Sequence, residues 1–400
     1  MATLPPAETT PAQPAGLPAE LAGKTVISVD AMGGDAGPAA VIGGLAKSAK
    51  INPDIGFIVH GREAQLAPLI AKRKLTDRCV IRHADDVVEM TEKPSTVMRQ
   101  GQGSSMWSAI ESVRNGEATV AVSCGNTGAL MLLSVVRLRK LPGVNRPAIA
   151  CLWPSRAKEG FAVMLDVGAD IRADEGDLLQ YALMGASYAR NGLGIARPRV
   201  GILNLGTEEH KGRAELKAAH YLIAEAAPRA EIEFAGFVEG GDIPQGKVDV
   251  IVTDGFTGNV ALKTAEGTAT LIRDSLREAF QRTPLSRIAG LLAYTSLRRL
   301  SKRIDPRRVN GGVFLGLNGT IVKSHGSADA TGVSAAIKLA FQLAQAGFSE
   351  RVAARIADAG EIRRAAEADA AAHPAEAVPP ASGARPDGTA KTADGSRLRG

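Results

Sequence analysis

Apolar and polar positions along this chain follow two alternating patterns. Short apolar runs, TVISVD (25–30), IGFIVHG (55–61), ATVAVSCG (118–125), FAVMLDVG (161–168), RVGILNLG (199–206) and VDVIVTDG (248–255), read as buried strands. Each is followed by a stretch with helical spacing: PAAVIGGLAKSAK, REAQLAPLIAKRK, NTGALMLLSVVRLRK, GDLLQYALMGASYARNG, RAELKAAHYLIAEA and NVALKTAEGTATLIRDSLREAF. Strand then helix, repeated, predicts an α/β fold with a mostly parallel sheet flanked by helices. Most of these strands run into glycine, and in open α/β sheets ligands gather where strand ends meet helix N-termini.

Three strand ends stand out. VISVDAMGGDAG (26–37) closes a strand at Asp30 and continues through Gly33, Gly34 and Asp35. AVSCGNTGALMLL and IVTDGFTGNVALK resemble each other: a strand, two glycines three residues apart (Gly125 and Gly128; Gly255 and Gly258), a threonine (Thr127; Thr257) and a helix start. Such turns cradle phosphate through backbone N–H groups and hydroxyls, and they also serve as plain strand-to-helix punctuation. Cys124 sits at one elbow, where a helix dipole would activate a nucleophile. With no histidine close in sequence, packing is the preferred reading.

The rhythm breaks after Asn259. Helical spacing runs to about Arg282, Thr283-Pro284 interrupts it, and LSRIAGLLAYTSLRRLSKRID resumes it, predicting a helical hairpin at about 260–308 that stands off the core. Leu285, Ile288, Ala289 and Leu292 share a face. Charge changes the picture here, because between Arg282 and Arg308 eight basic residues, Arg298 and Arg299 among them, face one acid, Asp305, while the whole chain carries only +6. A greasy tip backed by arginines suits an interfacial membrane contact or an acidic partner; a subunit-packing helix with a solvated basic face fits equally. Aromatic residues make up 4% of the chain, too few among the arginines to stack bases, so no nucleic-acid partner is expected.

The 400 residues are 45% hydrophobic, enough for one large core. Residues 1–23 and 364–400 are rich in Ala, Pro, Gly and Thr and are expected as disordered tails around a catalytic domain at 24–363. No signal peptide and no membrane span is read from the sequence, which makes the expected compartment the cytoplasm. Three scattered cysteines argue against a disulfide framework or zinc site. GxGxxG after a strand, GxxxxGK[ST], HExxH and GxSxG are missing, which removes support for nicotinamide, P-loop, zinc-protease and α/β-hydrolase chemistry. Two polar clusters remain. LNLGTEEHKG places Asn204, Glu208 and Lys211 past a strand, and GLNGTIVKSHGSADATG places Lys323, His325, Gly326, Ser327 and Asp329 before a helix.

VDAMGGD (29–35), SSM (104–106), VSCGNTGAL (122–130), RPAIA (146–150), LDVGAD (165–170), GILNLGTEEHKG (201–212), GFVEGGDI (236–243), VDVIVTDGFTGNVALKTAEG (248–267), GGVFLGLNG (311–319) and KSHGSADA (323–330) occur in one order. In these the chain resembles the phosphate acyltransferase family, from about Lys24 to Gly347. Cys124 stands where that family commonly has alanine, Asp170 where it has asparagine, and RQGQGSSM lacks the family's usual lysine.

The resemblance implies a fold similar to phosphotransacetylases and isopropylmalate dehydrogenases. It implies a reaction in which inorganic phosphate attacks the thioester of a fatty acyl group on acyl carrier protein, giving acyl phosphate for phospholipid synthesis without a metal or other cofactor. Lys211 is assigned as the cation that orients phosphate or assists the thiolate, and Asn259 as an oxyanion or phosphate donor. Gly33, Gly34, Asp35, Asn126, Thr127, Gly128, Asn204, Thr257, Gly258, His325, Gly326 and Ser327 are candidates for binding phosphate or acyl group. Leu285, Ile288, Leu292, Arg298 and Arg299 are candidates for membrane or carrier contact. A homodimer, peripheral association with the inner membrane face and a downstream glycerol-3-phosphate acyltransferase are the further implied partners. The rival enzyme is a phosphotransacetylase using acyl-CoA; the rival of another class is a non-catalytic membrane-binding scaffold.

Overall fold

A computed structural model of the chain describes residues 19–158, 160–304, 311–348 and 351–354, the side chains of 300–304 excepted. Its strands are β1 (Thr25–Asp30), β2 (Ile55–Gly61), β3 (Cys79–His83), β4 (Val120–Ser123), β5 (Ala148–Pro154), β6 (Phe161–Leu165), β7 (Arg199–Leu203), β8 (Glu233–Val238), β9 (Val250–Val252), β10 (Gly312–Leu315) and β11 (Thr320–Lys323). Its helices are α1 (Gly37–Ile51), α2 (Glu63–Lys72), α3 (Pro94–Gln100), α4 (Ser105–Arg114), α5 (Thr127–Leu138), α6 (Glu175–Leu193), α7 (Ala214–Ala226), α8 (Gly255–Gln281), α9 (Pro284–Leu292), α10 (Tyr294–Ile304) and α11 (Ala330–Gln345).

The strands form one sheet in the order β3-β2-β1-β4-β11-β10-β5-β6-β9-β7-β8. β3, β2, β1, β4 and β11 are parallel to one another, and so are β6, β9, β7 and β8. The β11–β10, β10–β5 and β5–β6 pairs between them are antiparallel. Three reversals leave the two parallel halves running in opposite directions, and the pairings carry one row from Val29 through Val122, Val322, Val313 and Ala150 to the neighbourhood of Leu165, Val252 and Ile202, so the carboxyl ends of both halves come to nearly the same row of the sheet.

Side chains alternate between the two faces. Val120 and Val122 of β4 join a core beneath α1, α6, α7 and α11, whereas Ala121 joins a second core beneath α4 and α5. The fold begins earlier than composition suggests. A single 3₁₀ turn at Ala19–Leu21 precedes β1, and Leu21 is fully buried against Val26, Ile58 and Ala118, so residues 19–23 belong to the domain and not to a tail. Residues 1–18 and 364–400 lie outside the described residues.

The hairpin starts earlier than expected, because α8 is one helix from its Asp254 cap to Gln281. Thr283 caps α9 by accepting from Ser286 N–H, with Pro284 at the first helical position, where its missing N–H costs nothing. The expected single second helix is two, parted at Ala293. No residue of α9 is buried, and Leu285 (76%), Ile288 (58%) and Leu292 (81%) are exposed together with Arg298 and Arg299. Among the described residues no helix is long and apolar enough to cross a membrane.

Candidate active site

Three turns meet at the carboxyl ends of β1, β4 and β11. Asp30 ends β1 fully buried, and its carboxylate accepts from the N–H groups of Met32 (3.3 Å) and Gly33 (3.2 Å) and the hydroxyls of Ser105 and Ser123 (2.7 Å each). One carboxylate thereby joins the β1 turn, α4 and β4, and the Gly33 N–H is directed inward. Gly34 has φ +93°, and a Cβ there would fall 2.8 Å from both Cys124 Cβ and the Gly326 carbonyl oxygen. Beside it the Asp35 N–H donates to that carbonyl at 2.8 Å. The glycines of MGGD thus let the three turns pack against one another.

Asn126 caps α5 by accepting from Ala129 N–H (3.1 Å), while its amide nitrogen donates to the carbonyls of Met90 (3.0 Å) and Glu92 (2.9 Å). Its side chain therefore holds segment 90–92 next to the turns, where a Cβ on Gly326 would meet Met90 Cε at 2.6 Å. Thr127 and Gly128 are exposed in the first turn of α5. Cys124 is buried, and burial pushes its thiol up, away from the thiolate a nucleophile needs. His325 is half-exposed, with Nδ1 3.1 Å from Ser327 Oγ.

In the other parallel half a second set of turns surrounds the start of α8. Asp166, buried after β6, accepts from the N–H groups of Ile149 (2.9 Å), Gly168 (3.2 Å), Ala169 (3.1 Å) and Asp170 (2.7 Å). A Cβ on Gly255 would lie 2.0 Å from the Asp170 carbonyl oxygen, and one on Gly258 1.9 Å from that of Asp166. These glycines let the 166–170 loop cross the helix start. Asp254 caps α8, accepting from the Thr257 N–H (2.8 Å) and hydroxyl (3.0 Å), and it also pairs with Arg213. Asn259 is exposed beside Gly168.

The Lys211 loop adjoins this set. Asn204 donates from Nδ2 to the Lys211 carbonyl (3.1 Å), packing against Gly212, whose φ is +88°. Lys211 Nζ lies 2.7 Å from Glu208 Oε1 at an exposed position, and that bond raises the lysine's pKa. Two residues on, Arg213 ties the loop to the α8 cap.

Strands β7 and β11 are five positions apart in the sheet, and helix α8 lies between the Lys211 loop and the β11 turn, tied to the first through the Arg213–Asp254 pair and near the second at Glu266. Helix α8 connects them. Asn259, Lys263 and Glu266, spaced i, i+4, i+7, share one face over about 10 Å of helix. Lys263 Nζ bonds Glu266 Oε2 at 2.8 Å, and His325 Nε2 lies 3.7 Å from the same oxygen. His325 first, then Lys263, pull the Glu266 carboxyl down to about 2. Lys263 and Glu266 escape a sequence reading built on glycine turns, although their spacing from Asn259 within NVALKTAE was a signal for them. No group of three or more His, Cys, Asp or Glu suited to a metal occurs among the described residues.

The sequence profile of a family described as "Fatty acid synthesis protein" matches residues 25–351. The phosphate acyltransferase of Dinoroseobacter shibae is 76% identical over 340 residues, covering 85% of this chain and 88% of that protein. That of Cereibacter sphaeroides (strain ATCC 17025) is 70% identical over 354 residues, covering 88% and 96%. The chain belongs to the phosphate acyltransferase family. Among solved structures, phosphotransacetylases from Streptococcus pyogenes (TM-score 0.53, 15% identity, 80% of this chain and 94% of that one) and Staphylococcus aureus (0.52, 15%, 81% and 96%) share the fold. The resemblance drawn from the glycine-rich strings and the expected α/β architecture both hold.

Proposed function

We propose that this enzyme transfers a fatty acyl group from acyl carrier protein to inorganic phosphate. A phosphate oxygen attacks the thioester carbonyl carbon, the C–O bond forms, the C–S bond breaks, and the phosphate proton ends on the departing thiolate. Acyl phosphate and the free carrier thiol result. Such a reaction needs an oriented anion, a donor to the developing oxyanion and a positive charge near the sulfur. Lys211 supplies the charge and Asn259 the donor. The observation that carries this reading is the Arg213–Asp254 pair, which ties the Lys211 loop to the helix start bearing Asn259.

Asp35, Thr127, Gly128, His325, Gly326 and Ser327 bind phosphate or acyl group at the other end of the α8 face. Gly33, Asn126, Asn204, Thr257 and Gly258 act by holding the turns in place. The exposed apolar face of α9 and the arginines of α10 contact the inner membrane face and the acidic carrier, while a second copy covers the sides of the hairpin. A glycerol-3-phosphate acyltransferase downstream consumes the acyl phosphate. Arg307 and Arg308 of the basic segment lie outside the described residues.

The test is purified protein with acyl carrier protein loaded with a fatty acyl group, plus phosphate, and hydroxylamine to trap acyl phosphate. Phosphate-dependent hydroxamate supports the reading. Turnover with acyl-CoA alone replaces it with the phosphotransacetylase reading, and loss of no thioester with either donor leaves the scaffold.

A further inference from the structure

Lys323 ends β11 with only 9% of its surface exposed. Its ammonium donates to the carbonyl oxygens of Cys124 (3.2 Å) and Ser324, which uses two of three N–H groups. Among the described residues the third has no partner, and no carboxylate oxygen comes within 4.0 Å of the nitrogen. Asp30, the buried acid nearby, already has four donors on its own oxygens. A buried charge is costly unless it is paired. Lys323 is thus a buried cation without a bonded counter-ion, set where the Gly34, Cys124 and Gly326 turns converge.

We propose that Lys323 is the buried cation that anchors the phosphate substrate behind the three turns, which leaves Lys211 to act at the thioester; this rests on the acyl-to-phosphate reading above. Lys263, bonded to Glu266, is the further cation acting on Lys323. The charged and titratable groups facing Lys323 are Asp30 and Asp35 of the β1 turn, Cys124 of the β4 turn and Lys263 of α8. Burial outweighs the acids among them and lowers the ammonium to about 8. Below that value the anchor is charged, and above it the charge is lost.

Lys323→Gln tests this, since the amide keeps donors for the two carbonyls and removes the charge. Phosphate Kd, from calorimetry on the protein alone, and phosphate KM should rise about 10- to 100-fold, the usual loss for a hydrogen bond to a charged group. KM for the acyl donor should stay within about twofold. A folded Lys323→Gln protein with wild-type phosphate affinity overturns the proposal. Lys323→Met is the second variant. Should neither fold, wild-type phosphate affinity from pH 7.5 to 9.5 decides: one-proton linkage weakens it about tenfold per unit above about 8, and a flat profile overturns the proposal. Wild-type protein that binds phosphate through Lys323 but forms no acyl phosphate would remove the acyl-transfer reading and leave the anion site. Acyl phosphate formation with Lys323→Gln unchanged would remove only the Lys323 role.

Discussion

Nε2 of His325 lies 3.7 Å from Oε2 of Glu266, and this contact joins the turn after β11 to helix α8, which begins after β9 in the other parallel half of the sheet. The two parallel halves point opposite ways, and their strand ends come to nearly the same row of the sheet. Helix α8 has Asn259 near one set and Glu266 near the other, so both turn clusters border the first half of this helix.

Lys211→Ala should keep the fold and lower turnover about a hundredfold or more, the size expected when a charge contact to the transition state is lost. Its partner Glu208 is exposed, so removing the lysine leaves no buried unpaired acid. Circular dichroism and the hydroxamate assay measure the two effects separately; wild-type turnover in the folded variant would exclude Lys211 from the chemistry.

Gly34→Ala places a methyl group at φ +93° with 2.8 Å contacts to the Gly326 carbonyl oxygen and Cys124 Cβ, and both neighbours belong to packed turns that yield poorly. Strain of this kind costs about 1–3 kcal/mol. The β11 turn carries His325, so phosphate KM should rise together with the fall in melting temperature. A variant with unchanged stability and unchanged phosphate dependence would show that the turns are looser than their packing indicates.

Acid should destabilise the protein through His60. Its imidazole is fully buried, with Nε2 2.9 Å from Ser28 Oγ and Nδ1 2.8 Å from Ser108 Oγ, so strand β2 is joined to β1 and α4. Burial first, then Arg82, lowers its pKa from 6.5 to about 3. Between those values the unfolded chain binds a proton that the folded chain refuses, so stability is full above about 6.5 and falls by up to about 1.4 kcal/mol per pH unit below it. Urea unfolding from pH 7.5 to 4.5 measures the slope. His60→Gln, which does not titrate, should remove that part of the slope; an unchanged slope would assign it to other groups.

What the sequence made legible follows from what local pattern encodes. Period-2 and helical spacing identified β1, β2, β4, β6, β7 and β9 with the helices after them, because each element must bury a face. The antiparallel β10, β5 and β6 pairs were not legible, since a buried strand reads alike in either direction. The break at Ala293 carries no glycine or proline to announce it. Gly33 was read as a candidate for binding phosphate, yet its N–H, which an outside anion would need, is taken by the Asp30 carboxylate. The importance of Glu266 and Lys323 depends on contacts with His325 and Cys124, 59 and 199 residues away in sequence, which no local window contains.

The hairpin prediction separates two forces. On α9, Leu285, Ile288 and Leu292 are exposed, and Arg298 and Arg299 follow on α10. If the tip inserts at a membrane interface, the apolar side chains contribute a part insensitive to salt and the arginines a part that salt screens. Replacing the three apolar residues with Ser should therefore weaken binding to anionic liposomes even at low salt. Arg298→Glu with Arg299→Glu should weaken binding chiefly to anionic liposomes, while binding to neutral ones changes little. Activity on a short-chain acyl donor should survive the serine changes, because no residue of α9 is buried against the body of the domain. Flotation assays at low and high salt measure binding, and sedimentation measures the oligomeric state. Wild-type liposome binding by the triple-serine protein, with its oligomer dissociated, would instead assign this apolar face to a contact between two copies of the chain.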